Sequence, residues 1–286
     1  MEDFFDLTEE KLKRYGIKMG PMTRLVKFAK KCKDKKKHTF SSYRSLKEVL
    51  AKYSIKSSSI TSIPQFEPVS YHIDEKNSAF KFCIEDILRR IKNMSPVIDS
   101  NEAMHCEYIL TILHMTISIL EGLVILPQME VSSDESSGCV DYAIKRIIDN
   151  LLEEIICITE GKQNLPGIGV AQNLIQCKSS CEQNLDTLKK KHTADEAFEK
   201  YEYIYGIITT GTDWYFILHS TEGIYCTSKT EYRISLTEDA LKNSTELCKN
   251  VKRVLEVIVG LLKDRVSASE EPANKKRHVE EIIRKK

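Results

Sequence analysis

The run Ile155-Ile156-Cys157-Ile158 constrains the fold more than any other feature of the chain. It is apolar and mostly β-branched, so it reads as the start of a strand built to be buried. The strand spans Glu154–Lys162 and ends in Thr159-Glu160-Gly161-Lys162. An acid and a lysine at the end of a buried strand are costly unless they are paired or functional. Side chains alternate along a strand, so Glu160 and Lys162 are expected on one face, together with Ile156 and Ile158. The preceding strand, Cys139–Ile147, is interrupted by Asp141, nineteen positions before Glu160. That spacing fits two antiparallel strands and a turn, and the two carboxylates converge if the strands are neighbours.

The surrounding pattern supplies the layers. Residues 102–120 are apolar on most faces and read as a buried helix, and Val124–Val131 as a strand followed by a turn at Ser132–Ser137. Gly167–Asn184 reads as a helix carrying Leu174, Cys177 and Cys181 on one stripe. Lys189–Asp195 reads as an exposed loop, and Tyr203–Thr210 and Trp214–Ser220 as strands joined by Gly211-Thr212-Asp213. The order α-β-β-β-α-β-β predicts an α/β fold with helices flanking a mixed sheet. A leading helix is expected over 79–94, and a trailing one carries Val251, Val254, Ile258 and Leu261. The predicted organisation is a helical segment over 1–37, a Ser- and Pro-rich linker over 38–78 with a weak helix at 42–53, one domain over 79–266, and a basic disordered tail over 267–286.

Two converging carboxylates make a hard-oxygen site suited to a divalent cation such as Mg²⁺ or Mn²⁺. A nearby lysine can orient or deprotonate a water, or stabilise developing negative charge. Together these parts can hydrolyse a phosphodiester. The wording Gly138-Cys139-Val140-Asp141-Tyr142, then Thr159-Glu160-Gly161-Lys162, then Gly167-Ile168-Gly169-Val170-Ala171-Gln172-Asn173 resembles the PD-(D/E)XK nuclease superfamily. It is closest to the restriction-endonuclease-like domains of Crinkler-type proteins. The resemblance covers about 101–262 and lacks only the proline before Asp141. It implies a restriction-endonuclease-like core, α-β-β-β-α-β, with flanking helices. It also implies Asp141 and Glu160 as metal ligands, Lys162 serving the water, and Gln172 as a further polar residue in the site. The early acid on the first helix is expected at Glu107, as a third metal ligand, with Glu102 the second choice.

Leu7-Thr8-Glu9-Glu10-Lys11-Leu12, Tyr15-Gly16-Ile17 and Gly20 leading into Arg24-Leu25-Val26 resemble the last half of a SAM domain. That implies a surface for protein self-association. The basic clusters Lys27–Lys37 and Lys275-Lys276-Arg277 suit a polyanionic partner, the second also a nuclear localisation signal. The net charge of +1 gives no global steering toward one. Nine cysteines without a CxxC pair read as reduced, mostly buried thiols of an intracellular protein. No stretch reads as a membrane span. His105 and His114 are expected to be packed, and Trp214 to anchor the core. The resulting expectation is metal-dependent hydrolysis of nucleic acid, DNA first, in the nucleus. The alternative is an inactive nuclease fold that binds DNA or a protein partner.

Overall fold

A computed structural model describes residues 9–15, 18–34, 37–94, 97, 100–148, 151–163, 166–191, 202–268 and 271–284. Its centre is a seven-stranded mixed sheet. Strand β1 (His38–Thr39) precedes β2 (Leu123–Ser132), β3 (Ser136–Ile148) and β4 (Leu151–Gly161). Strands β5 (Tyr203–Thr209), β6 (Trp214–Ser220) and β7 (Gly223–Cys226) complete it. The β2-β3-β4 meander is antiparallel, β4 and β5 are parallel, and β5-β6-β7 is again antiparallel. The one parallel step between long strands needs a crossover.

Helices α1 (Glu9–Arg14) and α2 (Met19–Asp34) come first, followed by α3 (Leu46–Ala51) and α4 (Ser78–Asn93). Helix α5 (Glu102–Ile119) precedes β2, and α6 (Pro166–Lys191) supplies the crossover from β4 to β5. Helices α7 (Asp239–Lys242), α8 (Thr245–Ser267) and α9 (Pro272–Arg284) end the chain. The molecule is therefore α/β, with the α-β-β-β-α-β-β order from residue 102 that the pattern predicted. Asn101 opens α5 by accepting from Met104 N at 3.0 Å, and Asn77 opens α4 by accepting from Ala79 N at 2.9 Å.

Each sheet face carries its own core. Val170, Ala171 and Leu174 of α6 pack on Ala143, Ile158, Ile204 and Ile208. On the other face Ile84 and Ile87 of α4, Ile109 and Ile112 of α5, and Val254 and Ile258 of α8 pack around Ile144, Tyr205 and Phe216. Trp214 anchors this second core, 1% exposed, with its indole N–H donating to Gly211 O at 3.1 Å.

Two expected boundaries change. The stretch expected to be a linker is packed: Phe40, Leu46, Val49, Leu50 and Ile63 are buried in the α6-side core. Its apolar residues are too widely spaced among serines to show a period. Its 69–73 portion runs along α8, where Tyr71 N donates to Glu256 O at 2.8 Å. Gly260 permits this crossing, because a Cβ there would lie 1.9 Å from Val69 O. Gly260→Ala should therefore cost about 1–3 kcal/mol, measured by denaturant unfolding; an unchanged midpoint would refute the close approach.

The expected disordered tail is helix α9. Val279 and Ile282 join the core, and Lys275, 2% exposed, donates to Glu202 at 2.8 Å. Lys276 pairs with Glu222 at 2.6 Å. Lys275-Lys276-Arg277 is thus not the exposed basic cluster a localisation signal requires: the periodicity of residues 275, 279 and 282 turns Lys275 inward onto buried acids.

Other differences are local. Helix α6 continues to Lys191, and the remainder of the expected 189–195 loop lies outside the described residues. His105 is buried, whereas His114 is exposed. Of the SAM-like motif, residues 7–8 and 16–17 lie outside the described residues; Leu12 and Met22 are buried, and Tyr15, Met19 and Phe28 are exposed. Among the described residues no helix is long and apolar enough to cross a membrane.

Candidate active site

The β3–β4 register places the site. Tyr142 pairs with Thr159, so Asp141 and Glu160 are the next positions outward on the two strands. The ladder is not regular: pairing passes from Ile144↔Cys157 to Lys145↔Ile155 and skips Ile156. This bulge shifts the phase of the strand. Ile156 consequently joins the α5-side core and Ile158 the α6-side core, so Ile156 does not share a face with Glu160 as simple alternation predicted.

Asp141 reaches across the strand end. Its Oδ2 accepts from Gly161 N at 2.8 Å, and its Oδ1 lies 3.5 Å from Gln128 Nε2. A Cβ on Gly161 would meet Ile109 Cδ1, Cys106 Sγ and Asp141 Oδ2, which puts the aspartate on the α5 flank. Glu160 leans toward α6, 4% exposed, where its Oε2 accepts from Gln176 Nε2 at 2.7 Å. Lys162 closes the arrangement, with Nζ 2.6 Å from Glu160 Oε1 and 4.0 Å from Glu102 Oε1.

Electrostatics tie these groups into one neighbourhood. Burial pushes the Glu160 carboxyl above its ordinary range, and the charge of Asp141 pushes it further; Lys162 and Gln176 only partly oppose this. Burial pulls Lys162 down, but Glu160, Asp141 and Glu102 outweigh it and hold the ammonium above its usual value. Lys162 is therefore a cation in the resting site. The Cys106 thiol, one turn from Glu102 on α5, is raised by burial and then by Asp141 and Glu102, against a hydrogen bond with Tyr142.

Glu160 and Lys162 are thus paired, Asp141 is held by Gly161 N on the α5 flank, and Glu107 lies apart from them. Its carboxylate pairs with Arg90 of α4. Five residues turn a helix by roughly 140°, so Glu107 and Glu102 cannot face the same partner, and Glu102 takes the place beside Lys162. Gln172 is buried, but the glutamine that holds Glu160 is Gln176, one turn later on α6. Its Oε1 is buried without a partner. The i, i+4 spacing of the two glutamines was the available signal for Gln176. A cavity of about 610 Å³ lies elsewhere, lined by Tyr53, Cys181 and His219, the last pushed down to about 4 by burial. None of the three central residues lines it.

The raised Glu160 gives a stability prediction with a definite sign. Its folded pKa lies above its unfolded value, so its contribution is full below the ordinary glutamate range, about 4.3, and is lost as pH rises through the folded value. Glu160→Gln cannot ionise and escapes that loss. The variant should melt a few degrees above wild type at neutral pH, with the gap closing below about pH 4. Calorimetric melting across pH checks this; a variant that melts lower at neutral pH contradicts it.

No protein-family model matches the chain, and no curated protein matches its sequence.

Proposed function

We propose that the chain hydrolyses phosphodiester bonds of nucleic acid, with DNA the favoured substrate, at a PD-(D/E)XK-type site on a restriction-endonuclease-like core. The observation that carries this reading is the Lys162–Glu160 ion pair at 2.6 Å at the end of β4, with Asp141 held at the same strand end by Gly161 N at 2.8 Å. The order α5-β2-β3-β4-α6-β5, with an antiparallel meander and a helical crossover to a parallel strand, supports the core.

The donor set fits a divalent cation. Glu102, Asp141 and Glu160 carry three negative charges when ionised and Lys162 one positive charge, leaving two to be neutralised. Burial first, and then the charge of Asp141, push Glu160 upward. Among the described residues no three His, Cys, Asp or Glu side chains are grouped to hold a metal. Two carboxylates completed by water and phosphate oxygens is the ordinary way proteins hold Mg²⁺. Such an ion would neutralise the phosphate and make its water more acidic.

The chain's own residues do the rest. Gly161 N fixes Oδ2 of Asp141, and Oδ1 lies 3.5 Å from Gln128 Nε2. Gln176 fixes Oε2 of Glu160, and each carboxylate oxygen keeps a second lone pair for a ligand. Because Lys162 is held protonated, it stabilises charge developing on the phosphate oxygens and does not serve as the base. Water adds to phosphorus, one P–O bond breaks, and the leaving oxygen takes up a proton.

The test is cleavage of linear and supercoiled DNA in Mg²⁺ or Mn²⁺ by wild type and by Asp141→Ala. Cleavage by wild type alone supports the proposal. A wild type that binds DNA without cutting it in either metal overturns the enzymatic reading in favour of a binding module.

A further inference from the structure

We propose that Gln128 positions the substrate at this site, its carboxamide N–H donating to a phosphate oxygen of the nucleic acid; this rests on the nuclease reading above. Gln128 sits inside β2 with φ +50°, in the left-handed region. Among the described residues one other non-glycine has a positive φ, Ser54. Ser54 follows helix α3, where that conformation is an ordinary way to end a helix. Nothing of the kind explains Gln128. A non-glycine residue held in this region is strained, and such strain is kept mainly where function requires it.

The place of the strain gives it meaning. β2 and β3 keep one register from Leu123↔Arg146 to Ser132↔Ser137, which sets Gln128 opposite Asp141, between the pairs Pro127↔Tyr142 and Met129↔Val140. Pro127 and Gln128 are both exposed. Proline lacks an N–H, so Pro127 cannot donate to the ladder beside Gln128. The left-handed turn at 128 brings the amide to Asp141 Oδ1, the oxygen that Gly161 leaves unused. At 3.5 Å that contact is at the outer limit of a hydrogen bond, so the amide is weakly held.

The N–H₂ turned toward Asp141 has no lone pair to offer a cation. It complements the anionic oxygens of a phosphate brought to the same place. Glutamine amides commonly make such contacts, which orient a nucleic acid without reading its sequence.

The test uses the full chain as wild type, Gln128→Gly and Gln128→Asn. Glycine relieves the backbone and removes the amide; asparagine suits the same backbone but withdraws the amide by one methylene. Fluorescent duplexes of two unrelated sequences are titrated in Ca²⁺ and in EDTA, and steady-state cleavage is followed in Mg²⁺. Both variants should melt no lower than wild type yet bind both duplexes about tenfold more weakly, as expected for one lost bond to a charged group. KM should rise with kcat little changed. Unchanged affinity, or a loss on one sequence only, overturns the inference while the nuclease reading stands. A wild type that binds neither duplex overturns both.

Discussion

Lys162→Ala should reduce Mg²⁺-dependent cleavage by roughly 10³-fold while leaving divalent-cation affinity equal to or tighter than wild type. Both halves follow from the charge at the strand end. The ammonium lies 2.6 Å from Glu160 and 4.0 Å from Glu102. On the proposed mechanism, removing it takes away the group that stabilises developing phosphate charge. It also removes a competitor for the carboxylates, so an incoming cation meets less opposition. Asp141→Asn should do the reverse on binding, weakening cation affinity as well as cleavage. Single-turnover cleavage and titration calorimetry on the same preparations separate the two. If Lys162→Ala cleaves within tenfold of wild type, the lysine has no chemical role.

Arg265→Ala should destabilise the fold by about 3–5 kcal/mol, because breaking a buried ion cluster leaves charge uncompensated. Arg265 and Glu202 are both fully buried, with Nη2 2.7 Å from Glu202 Oε1. The same guanidinium pairs with Glu154, donates from Nε to Tyr203 O at 3.1 Å and lies over the Tyr203 ring. Without it Glu202 keeps Lys275 as its ion-pair partner, and Glu154 keeps Lys275 and, at 4.0 Å, Arg146. The melting temperature should fall by roughly 10 °C, and Arg265→Met combined with Glu202→Gln should recover a substantial part of the loss. A loss under about 1 kcal/mol, the level of a surface pair, would contradict the buried cluster.

Those two residues mark where sequence reasoning succeeded and where it stopped. The long elements were legible because burial writes a pattern: α4 and α8 at helical spacing, α5 as a helix apolar on most faces, β4 as an apolar run. The Glu-x-Lys triplet was legible because charge at the end of a buried strand is costly. What escaped depends on contacts between distant segments. The bulge at Ile156 is a property of pairing with β3, and no local pattern announces it. Glu107 and Glu102 differ only in helical phase, which is fixed by Arg90 claiming the former and Lys162 the latter. Lys275 read as solvated because lysines usually are, and only Glu154 and Glu202, more than seventy positions away, turn it inward. The serine-rich 38–77 stretch read as a linker because its buried residues have no period; they fill gaps left by α6 and α8.

Crystals grown or soaked with Mn²⁺ decide the matter most directly, through anomalous scattering at the manganese edge. The account predicts a single peak between the carboxylates of positions 141 and 160, lost in Asp141→Asn. Well-ordered side chains there without a peak at millimolar Mn²⁺, or a peak that persists in the variant, would contradict it.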